Sequence, residues 1–219
     1  NNLSSIYQDI GQLPEALAYQ QKAIAIQEQV LGKNHPALAT SYNNLSIIYQ
    51  DIEQFPEALA YQQKAIAIQE QVLGKKHSDV ATSYNNLSTL YYAMRQLPEA
   101  LSYQQKAIAI REQVLGENHP DLAASYNNLS GIYQAMEQLP EALTYQHKAI
   151  AIREQILNNN HPALATSCGN MAYLYYETKQ INQAKDYIAR AVAILKHNFP
   201  NGHPNLTAML QLQERINKM

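Results

Sequence analysis

Cysteine is nearly missing from this sequence. Cys168 stands alone among 219 residues, which excludes an internal disulfide framework and fits a reducing compartment, so a cytoplasmic setting is expected. An excess of either charge is missing too: the formal net charge is -2, and charged residues make up 16% of the chain. Such a balance gives no electrostatic case for nucleic acid or an anionic membrane surface as partner. Long hydrophobic runs are absent, because the apolar stretches are broken by Gln or Lys before they could span a bilayer. There is no Gly-rich phosphate loop and no recognisable catalytic triad, so the expected class is non-enzymatic with no cofactor. The chain opens on Asn1 rather than Met and shows no signal-like segment, so it reads as an excised fragment.

What the sequence does contain is repetition. The words "SYNNLSIIYQ" from Ser41 return as "SYNNLSTLYY" from Ser83 and "SYNNLSGIYQ" from Ser125. Asn1, Asn43, Asn85 and Asn127 are equivalent, each step is 42 residues, and Gly169 holds the fifth place in "SCGNMAYLYY". Five units are expected, about 1–36, 37–78, 79–120, 121–162 and 163–204, in a single array over 1–219 that ends with a capping helix over 205–219.

Each unit carries two helical patterns. Leu38, Tyr42, Leu45, Tyr49 and Ile52 alternate at spacings of four and three, one apolar stripe on a first helix. Ala58, Tyr61, Ala65, Ile68 and Val72 form the stripe of a second, which Leu59, Ile66 and Leu73 widen. Pro56 and Glu57 suit its first turn, and Gly74 ends it as a left-handed cap would. Small residues Ser46, Ala58 and Ala65 fall where the two helices cross. Glu53, Arg95, Glu137 and Lys179 replace Gly11 in the turn between helices, so that turn need not be left-handed. Helix pairs repeated at fixed length must stack to bury both apolar faces, so the fold class is all-α, an α-solenoid of antiparallel pairs with a right-handed superhelical curve.

The stretch "YNNLSIIYQDIEQFPEALAYQQKAI" resembles a tetratricopeptide repeat, with Tyr42, Leu45, Ser46, Tyr49, Ala58 and Ala65 in the places of that family's signature. The 42-residue length, the "NNL" pair and the "HP" opener resemble in particular the long repeats of kinesin light chains and their bacterial relatives. The resemblance covers essentially the whole chain. It implies a protein-interaction module whose concave groove, lined by the first helix of each pair, receives extended peptides or partner segments. Gln62, Gln104 and Gln146 depart from the family, which places an aromatic there. No heptad coiled coil is present, so kinesin transport is not implied.

On a helical wheel Asn43, Ile47 and Gln50 form one stripe, with Asp51 at its border. In the resembling family that stripe faces the groove. Its counterparts Asn85, Thr89 and Tyr92, then Asn127, Gly131 and Gln134, then Tyr173 and Tyr176, complete the candidate peptide-binding groove. The first asparagine of each pair can bond the backbone of a bound peptide, or bond along the ladder itself. The second lies toward the next unit and is read as structural. Gly131 and Gly169 each remove a side chain from the groove face; either this is drift in a tolerant helix, or Gly131 is the floor of a pocket for an apolar anchor, walled by Tyr92, Tyr173 and Tyr176 with Asn85 and Asn127 beside it.

Other residues have plainer readings. His35, His77, His119, His161 and His203 recur at loop–helix junctions, about 10 Å apart in stacked repeats and too far to share a metal. They are expected to be caps, and no metal partner is expected. The Asn-Leu-Ser tripeptides match the glycosylation acceptor pattern but sit mid-helix. Cys168 is expected to be a packed thiol, and Lys22, Lys64, Lys106 and Lys148 to be solvated. Leu206 and Leu210 are expected on the packing stripe of the last helix, with Gln213, Glu214 and Asn217 outside. The leading functional expectation is a scaffold that binds a protein or peptide in its groove. The alternative is a sensor or oligomerisation segment of a larger signalling protein, packing on its own chain or on copies of itself.

Overall fold

The computed structural model describes residues 2–219, so Asn1 lies outside the described residues. All regular structure among them is α-helical. The chain forms two compact units, residues 1–114 and 115–219. The first holds α1 (Asn2–Asp9), α2 (Leu13–Leu31), α3 (Pro36–Asp51), α4 (Phe55–Leu73), α5 (Ser78–Ala93) and α6 (Leu97–Val114). The second holds α7 (Pro120–Ala135), α8 (Leu139–Ile156), α9 (Pro162–Glu177), α10 (Ile181–Asn198) and α11 (Pro204–Asn217).

Consecutive helices pair antiparallel: Asn43 meets Gln62 while Ser46 meets Ala58. The close approach has one repeated cause. A serine hydroxyl on the first helix donates to an alanine carbonyl on the second, Ser4 to Ala16, Ser46 to Ala58, Ser88 to Ala100 and Ser130 to Ala142, at 2.7–2.9 Å. Only a short side chain opposite a residue with no bulk lets the hydroxyl reach another helix's backbone. All eight of these residues are buried. Around these crossings pack Leu38, Tyr42, Leu45, Leu87 and Leu90 in the first unit, and Leu164, Met171, Ile188 and Leu195 in the second.

Helix starts follow the sequence closely. Each recurring histidine is an N-cap whose Nδ1 accepts from the backbone N–H two residues on, His35 from Ala37, His77 from Asp79, His119 from Asp121, His161 from Ala163 and His203 from Asn205, at 3.1–3.2 Å. The acceptor lone pair satisfies one of the orphan donors of the first turn. The second helices α2, α4 and α8 begin without a side-chain cap but with Pro in the first turn and a glutamate behind it, whereas α10 has neither residue.

The turns between helices differ from expectation. Glu53, Arg95, Glu137 and Lys179 all adopt φ of 59–62°, the same left-handed region as Gly11. The next residue's N–H reaches back to close the helix, Gln54 to the Tyr49 carbonyl and Gln96 to the Tyr91 carbonyl, at 2.8 and 2.9 Å. Packing of the pair fixes that reversal, and non-glycine residues bear about 1–2 kcal/mol of strain to make it. Gly32 and Gly74 also differ from a left-handed cap: φ is 82° but ψ is 162° and 156°. That extended, positive-φ region is open essentially to glycine alone.

The two ends of the chain are built differently. Leu3 and Ile6 of α1 are each 54% exposed, whereas their counterparts Leu45 and Ile48 are 1% and 0% exposed. At the other end α11 buries Leu206, Leu212 and Ile216. Leu210, expected on that stripe, is exposed instead; of the residues expected outside, Glu214 and Asn217 are exposed but Gln213 is half-buried.

Relieving the strained turn is a direct test. Arg95→Gly is expected to raise unfolding free energy by about 0.5–1 kcal/mol in urea titrations, the left-handed strain removed less the extra unfolded-state entropy of glycine. In amide hydrogen exchange, α1 is expected to open at lower free energy than α5, because it has 8 residues against 16 and buries less of its apolar face.

Candidate functional site

The asparagines sit in a buried amide network. Gln62 Nε2 donates both to Asn43 Oδ1 (2.6 Å) and to the Ser83 carbonyl (3.0 Å), which ties α4 to α3 and to α5. Asn43 Nδ2 meets Ser83 Oγ at 2.8 Å, and Ser83 Oγ in turn donates to Gln69 Oε1 at 2.6 Å. The second unit repeats the arrangement, with Gln146 Nε2 bonded to Asn127 Oδ1 (3.2 Å) and to the Ser167 carbonyl (3.1 Å). Gln20 bonds the Ser41 carbonyl, and Gln104 bonds Asn85 Oδ1. These four glutamines are buried. They occupy the place where the family carries an aromatic, and they are the residues whose role the sequence reading missed. Their recurrence at a fixed place amid apolar neighbours was the available signal.

This network revises the reading of the first asparagine. Asn43 is 8% exposed and both ends of its amide are engaged inside the fold, by Gln62 and Ser83 and not by another asparagine of the ladder. Asn85 and Asn127 are half-buried and likewise accept from a glutamine. The second asparagine is structural at Asn170, but its Nδ2 donates to a side chain, Asn127 Oδ1 at 3.0 Å, and not to backbone.

The remaining groove candidates lie on the open face of the first helices. In the first unit Ile47, Thr89 and Tyr92 are exposed and Gln50 is half-buried. Asp51 is engaged, its carboxylate accepting from Gln8 at 2.6 Å. In the second unit Gly131, Gln134, Tyr173 and Tyr176 are half-buried. There Gln134 Nε2 donates to Glu177 Oε2 at 2.7 Å, one repeat away on α9.

Beside that bond the second unit has a surface cavity of about 530 Å³, lined by Gln134, Glu137, Leu139, Tyr173, Tyr176, Glu177 and Lys179. The rings of Tyr173 and Tyr176 are 6.4 Å apart and tilted by 37°. The two glycines differ. A Cβ on Gly131 would meet nothing within 4 Å, whereas a Cβ on Gly169 would lie 2.5 Å from Met209 Sδ. The space beside Gly169 is therefore filled by the thioether of α11. The cavity is also polar and charged at its rim rather than apolar. Tertiary structure brings cations near the stripe as well, with Arg215 Cζ 5.3 Å and Lys179 Nζ 5.9 Å from the Tyr176 ring centre.

The second helices carry a further pattern. Tyr49 and Tyr61 stack at 5.5 Å, Lys64 Nζ lies 4.7 Å from the Tyr61 ring centre, and Tyr91, Tyr103 and Lys106 repeat this at 5.6 and 4.5 Å. The lysines expected to be merely solvated are exposed but seated on tyrosine rings. Tyr42 donates to Glu28 at 2.5 Å, and Tyr84 donates to Glu70. Burial, then these bonds to carboxylates, push both phenols well above their ordinary range. Cys168 is buried, and burial raises its thiol to about 11, so it stays protonated and packed. Among the described residues no group of three His, Cys, Asp or Glu could hold a metal ion, and no helix is long and apolar enough to cross a membrane.

Comparison with known proteins places this architecture. The pattern of the tetratricopeptide repeat matches residues 1–71, 47–113, 79–145 and 121–197. No curated protein matches the chain. Among solved structures, the nearly identical TPR-like repeats of a Podosopora anserina protein described as a kinesin light chain are 29% identical, with a TM-score of 0.74 over 90% of this chain and 93% of that one. BtubC (BKLC) from P. vanneervenii is 23% identical, with a TM-score of 0.78 over 92% and 80% of the two chains. Aspartyl phosphate phosphatase F from Bacillus subtilis is 20% identical, with a TM-score of 0.76 over 89% and 49%. The last two are likenesses of fold.

The buried network and the glycine at α11 each yield an expected outcome. Gln62→Leu deletes two donated bonds and leaves acceptors on Asn43 and Ser83 without them, which should cost about 1–3 kcal/mol in urea unfolding. Gly169→Ala should stay within about 1 kcal/mol of wild type, since helix propensity offsets the displacement of a flexible thioether. Gly169→Leu should displace α11 and lower the melting temperature.

Proposed function

Since the chain belongs to the tetratricopeptide repeat family, whose repeats are protein-interaction scaffolds and generally non-enzymatic, we propose that it is itself a non-enzymatic scaffold that binds an extended peptide or partner segment along the open face of its first helices. The observation that carries this reading is the second unit's cavity, where Gln134, Tyr173 and Tyr176, all on the stripe that faces the groove in this family, line one depression. Aromatic side chains give large contact area at low entropic cost, and a neighbouring amide can fix a peptide's orientation. Exposed Ile47, Thr89 and Tyr92 extend the same kind of face in the first unit. Asn85 and Asn127, only half-buried, can add bonds to a peptide backbone, whereas Asn43 serves the fold.

A second reading has its own support. The exposed face of α1 and α2, with Leu3, Ile6, Ile10, Ile26 and Val30, suits packing on another part of the parent protein or on a second copy. Sedimentation of the wild type against Ile6→Glu separates the two: a concentration-dependent dimer lost in the variant supports self-association.

The groove is tested with linear peptides selected from a random display library on the full chain. Tyr173→Ala should weaken a selected peptide by more than 1 kcal/mol. Gly131→Leu should abolish binding while leaving the helical circular dichroism intact, because the added side chain enters open space. Wild-type affinity in both variants would remove these residues from the site.

A further inference from the structure

We infer that the cavity of the second unit is a receptor for an arginine side chain of the bound peptide. The inference rests on the groove-binding reading and names the chemistry of its anchor. Three features of the cavity point to a guanidinium. Its wall is two tyrosine rings, and its rim carries two carboxylates, Glu137 and Glu177, against one ammonium, Lys179. The lining residues alone carry one more carboxylate than ammonium, with the Arg215 guanidinium beside them on Tyr176, and aromatic faces attract cations through their quadrupole. Glu177 is held in place by the bond from Gln134 to its Oε2, so an incoming fork of N–H donors meets an oriented carboxylate. The chain itself supplies the precedent: the Arg215 guanidinium lies 5.3 Å from the Tyr176 ring centre.

The first unit provides an internal contrast. At the corresponding positions of α3 and α5 stand Gln50, Glu53, Thr89, Tyr92, Ala93 and Arg95. Phe55 matches Leu139, so the rings there are Tyr92 and Phe55; one carboxylate remains, and the α5 residue matching Glu177 is alanine. A carboxylate recurs at Asp51, which accepts from Gln8 as Glu177 does from Gln134, so what sets the fifth repeat apart is the second tyrosine ring, Tyr173 beside Tyr176, next to that carboxylate. An acidic or phosphorylated anchor would face the two carboxylates and be repelled. A neutral apolar anchor would cover them with only the bond from Gln134 to Glu177 in return.

The test uses the full chain and the display-selected peptides, with affinities read by fluorescence polarisation. Selected peptides are expected to share an arginine. Replacing it with citrulline, which keeps the shape and removes the charge, should weaken binding about three- to tenfold, the range of one cation–π contact plus one partly exposed ion pair. Glu177→Gln keeps an acceptor for Gln134 and should produce a similar loss with the arginine peptide. It should produce no further loss with the citrulline peptide. Tyr173→Leu should act in the same direction, with circular dichroism to establish that it folds. Peptides that bind equally well with citrulline, or that carry neutral or acidic anchors, would overturn the arginine receptor while leaving the groove in place. Failure to select any peptide would overturn the groove reading, and the receptor with it.

Discussion

The Nε2 of Gln62, donating at once to Asn43 Oδ1 within its own helix pair and to the Ser83 carbonyl of the next, is the bond on which the stacking depends. Helix pairs that meet only through apolar side chains can slide, since burial is nearly indifferent to small shifts along the axis. A buried amide is not indifferent: displaced by an ångström, it leaves donors and acceptors unpaired at about 1–3 kcal/mol each. The equivalent Gln146 joins α7, α8 and α9 through Asn127 and Ser167. Register between pairs is thereby set by polar bonds, and the Leu and Ala contacts supply adhesion around them.

That division of labour decides what is left for a partner. The first asparagine, which a surface argument assigns to ligand, is buried at Asn43, where its Oδ1 accepts from the buried Gln62. One turn further along, Ile47 and Thr89 are exposed, and Gly131 and Tyr173 are half-buried, with Tyr173 packed at the edge of the second unit's core. These are also the places where the units differ most from one another. A tolerant scaffold with variable exposed positions is how one fold comes to host many partners.

Much of this was legible in the sequence. The 42-residue period, the 3.6-residue stripes, the small residues at Ser46, Ala58 and Ala65 and the histidine junctions all reflect local or nearest-neighbour constraints, which a repeat prints several times over. The misreadings share a cause too. Gln62 and Lys64 were unremarkable by type, yet one is a buried tie and the other sits on tyrosine. Leu210 had the right spacing for the stripe of α11 but points away from it, and Gly169 looked like a hollow although Met209 fills it. Each error turns on a neighbour from another helix, whose position no periodicity encodes.

The sequence by itself determined the helices, their pairing and the class of protein, because hydrophobic period, Pro and Gly punctuation and repetition act within one or two repeats. Only the tertiary structure decided which polar groups serve the fold and which remain for a ligand. It also decided the backbone at Arg95 and its counterparts, where packing overrides the preference of the residue, and it gathered Glu137, Tyr173, Tyr176 and Glu177 around one cavity. Burial, partner choice and local charge are properties of surfaces that meet across helices, and they come into being only when those helices pack.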